Sequence, residues 1–504
     1  MAPSIIASII LVSYKRTMHL TTKKTIAKMT NLERLFAFCI LLLITCSKHH
    51  LIISSCLASS DIPADKIIEQ KLDQVLKLPG QNFNLSFAHY SGYITVNASA
   101  GKAFFYWFVE SAEDPSSKPL ALWLNGGPAC SSIAFGEAEE IGPFRPTADG
   151  KSVYLNPYAW NQVANIIFVE SPAGTGFSYS NTSSDLYNTG DRSTGKDNLA
   201  FILGWLERFP QYKGRDFYLL GESYGGHFVP QLSTLIIRHN KAAATKINFK
   251  GILIGNVLID DYHDQLGIFD FLWTVGLISD TALKLLKENC AHEPYLNASS
   301  ECGNAHNFAA NEIGSIDYYS LYTPKCTSSS STTSNLLSKR WPTLLRSQSY
   351  DPCTEAHSII YFNLPEVQQA LHVRGSPVKW ETCGLTVHYA WKDSARSLLN
   401  TIKELTTSGI RIWIYSGNTD AVIAITSTRY SLRALNLPTV GSYLPWYEDG
   451  ELGGWTQQYE GLTFVAVNAA GHEVPLHKPK QALTIFKAFL AGTPLATSKQ
   501  FSDH

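Results

Sequence analysis

The sequence predicts an α/β fold with a mainly parallel central sheet. Short apolar runs typical of buried strands alternate with helically spaced segments along residues 59–257 and again along 391–495. A strand that returns to the same sheet through a helix lies parallel to its predecessor. Residues 258–390 interrupt this alternation and contain five of the six cysteines that follow residue 58. We therefore predict one core in two parts, with 258–390 inserted between them as a cap.

The elements of the first part of the core follow from hydrophobic periodicity. Aromatic and β-branched residues dominate two runs that are joined by a Gly/Ser/Ala turn, as in paired strands. Leu199, Ile202 and Leu206 recur at helical spacing. In chain order we predict a helix at 66–77, strands at 87–97, 102–110, 119–124 and 164–169, a helix at 191–209, a strand at 217–220, a helix at 224–238 and a strand at 251–255.

The cap and the second part of the core are predicted in the same way. The cap contains helical pieces at 280–289 and 365–372 and a Ser/Thr-rich linker at 327–346, which we expect to be a flexible exposed loop open to proteolysis. The alternation then resumes with a helix at 395–406, strands at 410–415 and 462–467, and a helix at 479–490. Residues 496–504 are predicted to be a C-terminal tail.

A single Gly-x-Ser-x-Gly motif, centred on Ser223, follows the strand at 217–220 and precedes a helix. At such a turn the serine takes a strained backbone conformation that exposes its hydroxyl, and flanking glycines avoid collision with neighbouring backbone. The dipole of the following helix favours negative charge nearby. A motif this short also arises by chance, so its meaning depends on a base, an acid and an oxyanion hole elsewhere.

Asp420 and His472 supply the acid and the base in the chain order Ser, Asp, His. Each follows a predicted strand, so both should lie with Ser223 at the carboxyl edge of one sheet. We assign Ser223 as nucleophile, His472 as general base and then acid, and Asp420 as the group that orients and stabilises the imidazolium. A histidine after a strand is by itself more often structural, but three groups at three strand ends favour catalysis.

Asn125-Gly126-Gly127, which follows the strand at 119–124, predicts an oxyanion hole. Two adjacent glycines let backbone N–H groups approach a substrate closely, and the amide after the nucleophile provides a second donor. We assign the hole to Gly127 and Tyr224. The alternative is an ordinary β-turn.

Five blocks of this sequence resemble the signature segments of plant serine carboxypeptidases, especially the two-chain (type II) group. They are WLNGGPACSSIAFGEAEEIGPFRP, VESPAGTGFSYS, GESYGGHFVPQL, SGNTDAVIAIT and AAGHEVPLHKP, and the resemblance runs from about residue 83 to 490. It implies an α/β-hydrolase fold with a cap and the removal of C-terminal residues from peptides.

The resemblance also implies a site for the terminal carboxylate of the substrate, formed by Asn125, Gly126, Glu140 and Glu222. Two carboxyl groups can hydrogen-bond to a third carboxylate only when they carry protons. Binding should therefore favour acidic pH, as in an acid carboxypeptidase. The alternative for Glu140 is a solvated acidic helix end at 137–140.

Cysteine pairing is left open by the count alone, but the resemblance implies Cys130–Cys383, Cys290–Cys302 and Cys326–Cys353. The last pair would span the Ser/Thr-rich linker. A cut there would leave two chains joined by a disulfide. Lys339-Arg340 is a candidate processing site, although a basic pair in a loop is more often simply solvated.

Several positions depart from the pattern of the family, and they keep other functions open. The departures are Ala129 for Gly, Gly225 for Ala, Thr175 for Val, Ala424 for Pro, and Asn468-Ala469 for Arg-Gly. They allow a weak enzyme or a catalytically inactive binding protein, with Ala129 the most consequential if that position requires a positive φ. An acyltransferase using glucose esters is a further alternative, but such relatives typically carry Asp before the nucleophile, where this chain has Glu222.

Residues 1–58 are predicted to be an N-terminal extension and a secretory signal peptide. The apolar run at 35–45 is too short to span a bilayer comfortably, and a signal anchor is the alternative. We expect cleavage near Ala58, and translation can start at Met29. The even number of remaining cysteines fits export to the extracellular space or apoplast, with the vacuole as an alternative destination. Glycosylation is predicted at four sequons: Asn84, Asn97, Asn181 and Asn297.

Composition argues against several kinds of partner. Hydrophobic residues make up 45% of the chain and charged residues only 16%, so most of it should be folded. The formal net charge of −1, without a long run of one sign, argues against nucleic acid. No C-x-x-C motif occurs, and we expect neither a metal nor a cofactor. The expected partners are C-termini of peptides and proteins, without a stable membrane span; whether the chain forms a homodimer is left open.

Overall fold

The computed structural model describes residues 62–327 and 350–498. The predicted signal region, the start at Met29, the Ser/Thr-rich linker beyond residue 327 with its Lys339-Arg340 pair, and most of the C-terminal tail lie outside these residues.

Twelve strands of the described chain form one mixed sheet, and two more form a small hairpin sheet. The order in the large sheet is β1-β2-β3-β7-β4-β9-β10-β11-β14-β13-β12, with β8 paired to β3. The six central strands, from β7 to β14 in that order, are parallel, and the outer pairs are antiparallel. The strands are β1 Gln74–Val75, β2 His89–Asn97, β3 Lys102–Val109, β4 Leu120–Leu124, β5 Phe144–Pro146, β6 Val153–Leu155, β7 Asn165–Val169, β8 Tyr179–Ser180, β9 Phe217–Glu222, β10 Phe249–Gly255, β11 Arg411–Gly417, β12 Leu444–Glu448, β13 Glu451–Tyr459 and β14 Leu462–Val467.

Helices connect these strands and cover the sheet. They are α1 Ala64–Asp73, α2 Asp191–Arg208, α3 Gly225–Ala242, α4 Asp261–Thr274, α5 Asp280–Cys290, α6 Ser300–Ile313, α7 Thr354–Phe362, α8 Pro365–Ala370, α9 Leu385–Tyr389, α10 Leu399–Thr406, α11 Ile425–Leu435, α12 Val474–His477 and α13 Pro479–Ala491. A π-helix covers Ile133–Ile141, and 3₁₀ turns occur at Trp160–Gln162, Ser183–Tyr187 and Pro210–Tyr212. No helix in 62–327 or 350–498 combines the length and apolarity that crossing a membrane requires.

The large sheet is buried on both faces, as β3 illustrates. Phe105, Trp107 and Val109 pack into the hydrophobic cluster on one face. Phe104, Tyr106 and Phe108 pack into the cluster on the other face. Because successive side chains of a strand point to opposite faces, a continuous apolar run is what a two-sided core requires. The predicted α/β fold with a mainly parallel central sheet is confirmed.

Between β10 and β11 the described chain contains helices α4 to α10 but no strand of either sheet. This is the stretch in which the sequence predicts a cap. Residues 62–327 and 350–498 contain three disulfides, Cys130–Cys383, Cys290–Cys302 and Cys326–Cys353, which are the pairs that the resemblance implies. The domain boundaries themselves remain predictions.

Several predicted helices have different bounds, and in two of them tertiary contacts override local periodicity. The helix predicted at 66–77 ends at Asp73, since Gln74 and Val75 pair with β2. The helix predicted at 395–406 begins only at Leu399. Its predicted first residue, Ala395, instead donates its backbone N–H to the Asp191 carboxylate.

Candidate active site

Ser223 lies at the turn between β9 and α3, at the carboxyl edge of the sheet. Its φ is +58°, a left-handed conformation that costs a non-glycine residue about 1–2 kcal/mol. Neighbouring backbone holds the turn: Ser223 N donates to Gly255 O at 3.1 Å. Gly226 N and Leu258 N both donate to the Ser223 carbonyl, at 3.0 and 3.2 Å. The Gly-x-Ser-x-Gly motif therefore forms the strained strand-to-helix turn expected from the sequence.

Asp420 and His472 meet directly. His472 Nδ1 lies 2.7 Å from Asp420 Oδ2, and both side chains are buried. The carboxylate also accepts hydrogen bonds from Asn256 Nδ2 at 2.7 Å and from the backbone N–H groups of Val422 and Ile423 at 2.7 and 3.2 Å. Because an ionised carboxylate only accepts hydrogen bonds, Nδ1 carries the proton of the neutral imidazole and Nε2 is left as an acceptor. This is the arrangement that a general base requires.

The Ser223 hydroxyl is not hydrogen-bonded to His472 in the described chain. The serine is partly exposed, whereas Glu222 and Tyr224 on either side of it are buried. A nucleophile–base hydrogen bond often tightens only when substrate binds. The structure thus joins the predicted acid to the predicted base and leaves the serine partly exposed.

The loop after β4 brings Gly126 and Gly127 against this turn. A Cβ atom on Gly126 would lie 2.3 Å from Tyr224 N and 2.7 Å from Ser223 Cβ, so only glycine fits there. Gly127 has φ +103°, which also favours glycine. Tyr224 N immediately precedes α3, where the first backbone N–H groups have no intrahelical acceptor. The predicted donors, Gly127 and Tyr224, therefore belong to two turns that lie against each other. An ordinary β-turn would not need glycine for such close contact with a neighbouring turn.

This loop is fastened to the cap just beyond the glycines. The Cys130–Cys383 disulfide joins the two segments. On either side of it, Ser131 N donates to Thr382 O and Gly384 N donates to Ala129 O, each at 2.7 Å. Ala129 has a positive φ of +70°, which favours glycine. The replacement of glycine by alanine at this position therefore costs stability.

Asn125 is oriented by its own neighbours. Its side-chain oxygen accepts hydrogen bonds from Trp123 Nε1 at 2.5 Å and from Gly136 N at 3.1 Å. The amide –NH₂ group is therefore turned away from both and lies on the side of Glu140, whose pKa it lowers; among the described residues neither Glu140 oxygen has a hydrogen-bond partner. The orientation of the Asn125 amide is thus fixed, with its –NH₂ group beside Glu140, a residue that the resemblance places in the same site.

Glu140 and Glu222 form a coupled carboxyl pair next to the nucleophile. Both are buried, with 1% and 2% of their surface exposed. Burial raises the pKa of Glu222 well above its ordinary range, and the Glu140 carboxyl raises it further. Burial also raises the pKa of Glu140, although the neighbouring Glu222 and Asn125 side chains oppose the increase. The pKa of Glu222 is therefore raised more than that of Glu140, and because Glu140 is buried the alternative of a solvated acidic helix end is wrong for it.

Two further carboxyl groups, which the sequence interpretation missed, lie close to this pair. Burial raises the pKa of Glu139 to about 8, with the Glu355 carboxylate adding to the effect. Burial raises the pKa of Glu473 well above its ordinary value, and Glu139 and Glu140 raise it further. The adjacency of Glu139 to Glu140 and of Glu473 to His472 was the available signal, but adjacency does not reveal that the side chains are buried.

Asn256 contacts the predicted acid and Tyr319 contacts the predicted base, although the sequence did not identify either residue as part of the site. Asn256 follows β10 and binds Asp420 as described above, and its position at a strand end was a usable signal. Tyr319 belongs to the cap: its carbonyl accepts a hydrogen bond from His472 N at 2.6 Å, and its ring lies edge-on to the imidazole at 4.8 Å. Nothing local in the sequence indicates this contact.

The four predicted glycosylation sites are accessible. Asn84, Asn97, Asn181 and Asn297 are all exposed, as attachment of a glycan requires. Glycosylation at these positions remains a prediction.

Comparison with protein families matches residues 79–492 to the serine carboxypeptidase family. Among curated proteins, Serine carboxypeptidase-like 29 of Arabidopsis thaliana is 54% identical over 455 residues, which cover 90% of this chain and 95% of the relative. Serine carboxypeptidase-like 26 of the same plant is 51% identical over 85% of this chain and 94% of its own. Serine carboxypeptidase 24, also from Arabidopsis thaliana, is 50% identical over 85% and 94% of the two chains.

Among solved structures, a prohormone-processing carboxypeptidase from Saccharomyces cerevisiae superposes with a TM-score of 0.72. The match covers 84% of this chain and 96% of that protein, at 22% sequence identity. At this identity the match concerns the fold, which is the same α/β architecture.

Proposed function

Because the chain belongs to the serine carboxypeptidase family and is therefore a serine-type carboxypeptidase, we propose that it releases C-terminal amino acids from peptides and proteins at acidic pH, through an acyl-enzyme formed on Ser223. The observation that carries the acidic preference is the buried Glu140–Glu222 carboxyl pair beside the nucleophile, with Asn125 turned toward it.

The proposed reaction begins with attack of Ser223 Oγ on the last peptide carbonyl. His472 Nε2 takes the hydroxyl proton as the O–C bond forms, and Asp420 stabilises the resulting imidazolium. The backbone N–H groups of Gly127 and Tyr224 stabilise the negative charge on the carbonyl oxygen. His472 then gives the proton to the leaving amine as the C–N bond breaks. Water attacks the acyl-enzyme by the same route in reverse roles, which releases the shortened peptide and restores Ser223.

The proposed carboxylate site explains why only the last residue is removed. Asn125, the Gly126 amide, Glu140 and Glu222 would bind the free C-terminus of the substrate. A carboxylate approaching two carboxyl groups is repelled unless they are protonated, so binding weakens once Glu222 loses its proton. The raised pKa of Glu222 keeps that proton through the acidic range, and beyond it the KM should rise with pH.

The test is hydrolysis of N-blocked dipeptides between about pH 4 and pH 8, because this range brackets an ordinary Glu pKa and the raised values. The comparison is wild type against Ser223→Ala, and free-acid dipeptides against their C-terminal amides. We expect Ser223-dependent release of the last residue, optimal at acidic pH and strongly preferring the free acid. Equal release by both proteins would end the proposal. An optimum above neutrality would refute the role of the carboxyl pair, and transfer from a glucose ester without peptide hydrolysis would establish the acyltransferase alternative.

We also propose that the protein enters the secretory pathway and reaches the extracellular space or the vacuole. Three disulfides and four exposed sequons support this, because disulfides persist in oxidising compartments. Sensitivity of the protein purified from plant cells to an endoglycosidase, read as a mobility shift, would test it.

A further inference from the structure

The Asp191 carboxylate, at the first position of α2, receives an unusual number of hydrogen bonds for a group outside the proposed triad. Only 3% of Asp191 is exposed. Both of its carboxylate oxygens have at least two polar partners, which fills the acceptor capacity of a carboxylate. The partners are Tyr224 Oη at 2.8 Å, His227 Nδ1 at 3.1 Å, Gln231 Nε2 at 2.7 Å, Trp391 Nε1 at 3.1 Å and Ala395 N at 3.1 Å.

Three of these partners come from the segment that directly follows the nucleophile. Tyr224, His227 and Gln231 are spaced by three and four residues, so they share one side of the first turns of α3. The carboxylate therefore holds the helix that begins immediately after Ser223. Burial by itself would raise the pKa of Asp191, but the His227 hydrogen bond and the other donors outweigh it and lower the pKa. Asp191 is thus ionised in the acidic range where we propose the enzyme works.

The side chain of Tyr224 makes several contacts, although the proposed oxyanion hole uses only its backbone N–H group. Its ring is 1% exposed and stacks on His227 with the ring centroids 4.3 Å apart. Its hydroxyl lies 2.6 Å from Ser394 Oγ as well as 2.8 Å from Asp191. With the side chain anchored at its far end, the Cα of Tyr224 has little freedom, and the direction of its N–H group is set with it.

The remaining two partners tie this assembly to the chain that leaves the cap. Trp391 and Ala395 lie between α9 and α10, and the Trp391 ring packs edge-on against Tyr224 at 5.8 Å. One carboxylate therefore joins α2, the start of α3 and the segment 391–395. A group so placed can transmit any displacement of that segment to the turn that carries Ser223.

We propose that Asp191 is a positioning residue for the oxyanion hole. By holding the Tyr224 side chain, it keeps the Tyr224 N–H group directed at the substrate carbonyl oxygen on which negative charge develops. This inference rests on the proposed function, since it assumes that Tyr224 N stabilises that charge. A donor that is slightly misdirected still allows substrate to bind but stabilises the transition state less well. Loss of Asp191 should therefore lower kcat and leave KM nearly unchanged.

Asp191→Asn in the full-length protein tests the inference, with Asp73→Asn as the matched control. Asp73 is also a buried carboxylate that accepts a tyrosine hydroxyl, from Tyr106 at 2.6 Å, but it lies on α1. We expect Asp191→Asn to lower kcat by about tenfold to a hundredfold with KM within about twofold, since loss of a whole donor costs about a hundredfold or more. Asp73→Asn should lower only the melting temperature.

Tyr224→Phe, with Tyr106→Phe as its control, keeps the inference testable if Asp191→Asn does not fold. Each substitution removes one hydroxyl from one buried carboxylate, and the backbone N–H of residue 224 stays. We expect kcat to fall severalfold in Tyr224→Phe and to be unchanged in Tyr106→Phe. The double variant Asp191→Asn/Tyr224→Phe should be no slower than Asp191→Asn, because both changes act on one contact.

The outcomes separate this inference from the proposed function. If wild type shows Ser223-dependent hydrolysis but Asp191→Asn and Tyr224→Phe retain its kcat, the inference is wrong and the function stands. The inference also fails if KM rises in parallel with the fall in kcat, or if Asp73→Asn loses kcat to the same extent. If wild type and Ser223→Ala release product equally, the proposed function has failed before Asp191 is considered.

Discussion

Two alanines occupy backbone conformations that favour glycine. Ala129, beside the oxyanion loop, has φ +70°, and Ala469, three residues before His472, has φ +54°. These are two of the positions at which the chain departs from the glycines of the resembling family. An L-residue in this region pays roughly 1–2 kcal/mol, whereas glycine pays mainly in the entropy of the unfolded chain. Both alanines therefore cost stability, but they do not prevent the surrounding contacts of the site, such as the hydrogen bond from Gly384 N to Ala129 O.

Ala129→Gly and Ala469→Gly should each raise the free energy of unfolding by up to about 1 kcal/mol, because relief of strain exceeds the entropy lost. Urea denaturation measures the change. Ala121→Gly in β4 is the control: it lies in a strand and is not among the residues with a positive φ, so it should be destabilising. A loss of stability in Ala469→Gly, which removes an exposed methyl group, would show that this positive φ carries no strain.

Glu222→Gln should flatten the pH dependence of KM. An amide donates a hydrogen bond to the substrate carboxylate without holding a titratable proton, so binding no longer requires acid. In wild type the raised pKa of Glu222 means that affinity is present below that pKa and is lost as the pH rises through it. KM is measured with an N-blocked dipeptide between about pH 4 and pH 8. Glu451→Gln, on an exposed residue of β13, should follow the wild-type profile, and a steep KM rise in Glu222→Gln would contradict the assignment.

At the scale of elements, the site depends on a piece of the cap as much as on the sheet. The segment 318–321 makes backbone hydrogen bonds to both loops. Leu321 N donates to Thr419 O, and Ala421 N donates to Tyr318 O, each at 3.0 Å. On the other loop, His472 N donates to Tyr319 O. The loops that carry the acid and the base are thus bridged by one stretch of the cap, which explains how two separate loops are held in fixed positions relative to each other.

Gly471→Ala tests this bridge. A Cβ atom at 471 would lie 2.1 Å from Tyr319 O and 2.6 Å from Ser320 Cβ, so the cap segment or the His472 loop must move. A displacement of about 1 Å can cost up to about a hundredfold in rate, and we expect kcat to fall at least tenfold. Gly303→Ala is the control, because its new methyl group meets no atom within 4 Å and it lies inside α6. That variant should keep kcat and gain stability; equal kcat in both variants would refute the bridge.

At the scale of the whole molecule, several carboxyl groups of the described residues are buried without an ion pair to a basic side chain. Burial raises the pKa of Glu170 and of Asp264 to about 7 each, and that of Glu139 to about 8. Glu137, Glu222 and Glu473 are raised as well, each chiefly by burial. The folded chain therefore retains protons that the unfolded chain releases above about pH 4.

Stability should consequently be greatest in acid and should decline as the pH rises. For a carboxyl group with a raised pKa, the stabilising contribution is complete below the unfolded pKa and is lost as the pH approaches the folded pKa. The window runs from about pH 4 to about pH 8 for the groups above. Urea unfolding at both ends should show a decrease of several kcal/mol, since one pKa unit corresponds to about 1.4 kcal/mol. A constant or rising stability across this window would show that these groups are ionised in the folded protein.

The sequence by itself determined the core of the fold and the position of the acid and base, for physical reasons that are local. Alternating strands and helices favour a parallel sheet, and residues that follow its strands meet at one edge. Ser223, Asp420 and His472 were therefore identified from a Gly-x-Ser-x-Gly motif, their order in the chain and their places after predicted strands. The assignment of catalytic roles to them stays a proposal that kinetics must test. The disulfide pairs and the carboxylate-site residues came instead from the resemblance.

Only the tertiary structure decided which polar side chains are buried and what they meet. The π-helix that buries Glu139 and Glu140, the contact of Tyr319 with His472 and the hydrogen bonds that converge on Asp191 all join residues far apart in the chain. Burial and pairing of a charged group depend on atoms contributed by distant elements, and these set both its pKa and its orientation. No local pattern encodes them, which is why Asp191 reads in the sequence as nothing more than the start of a helix.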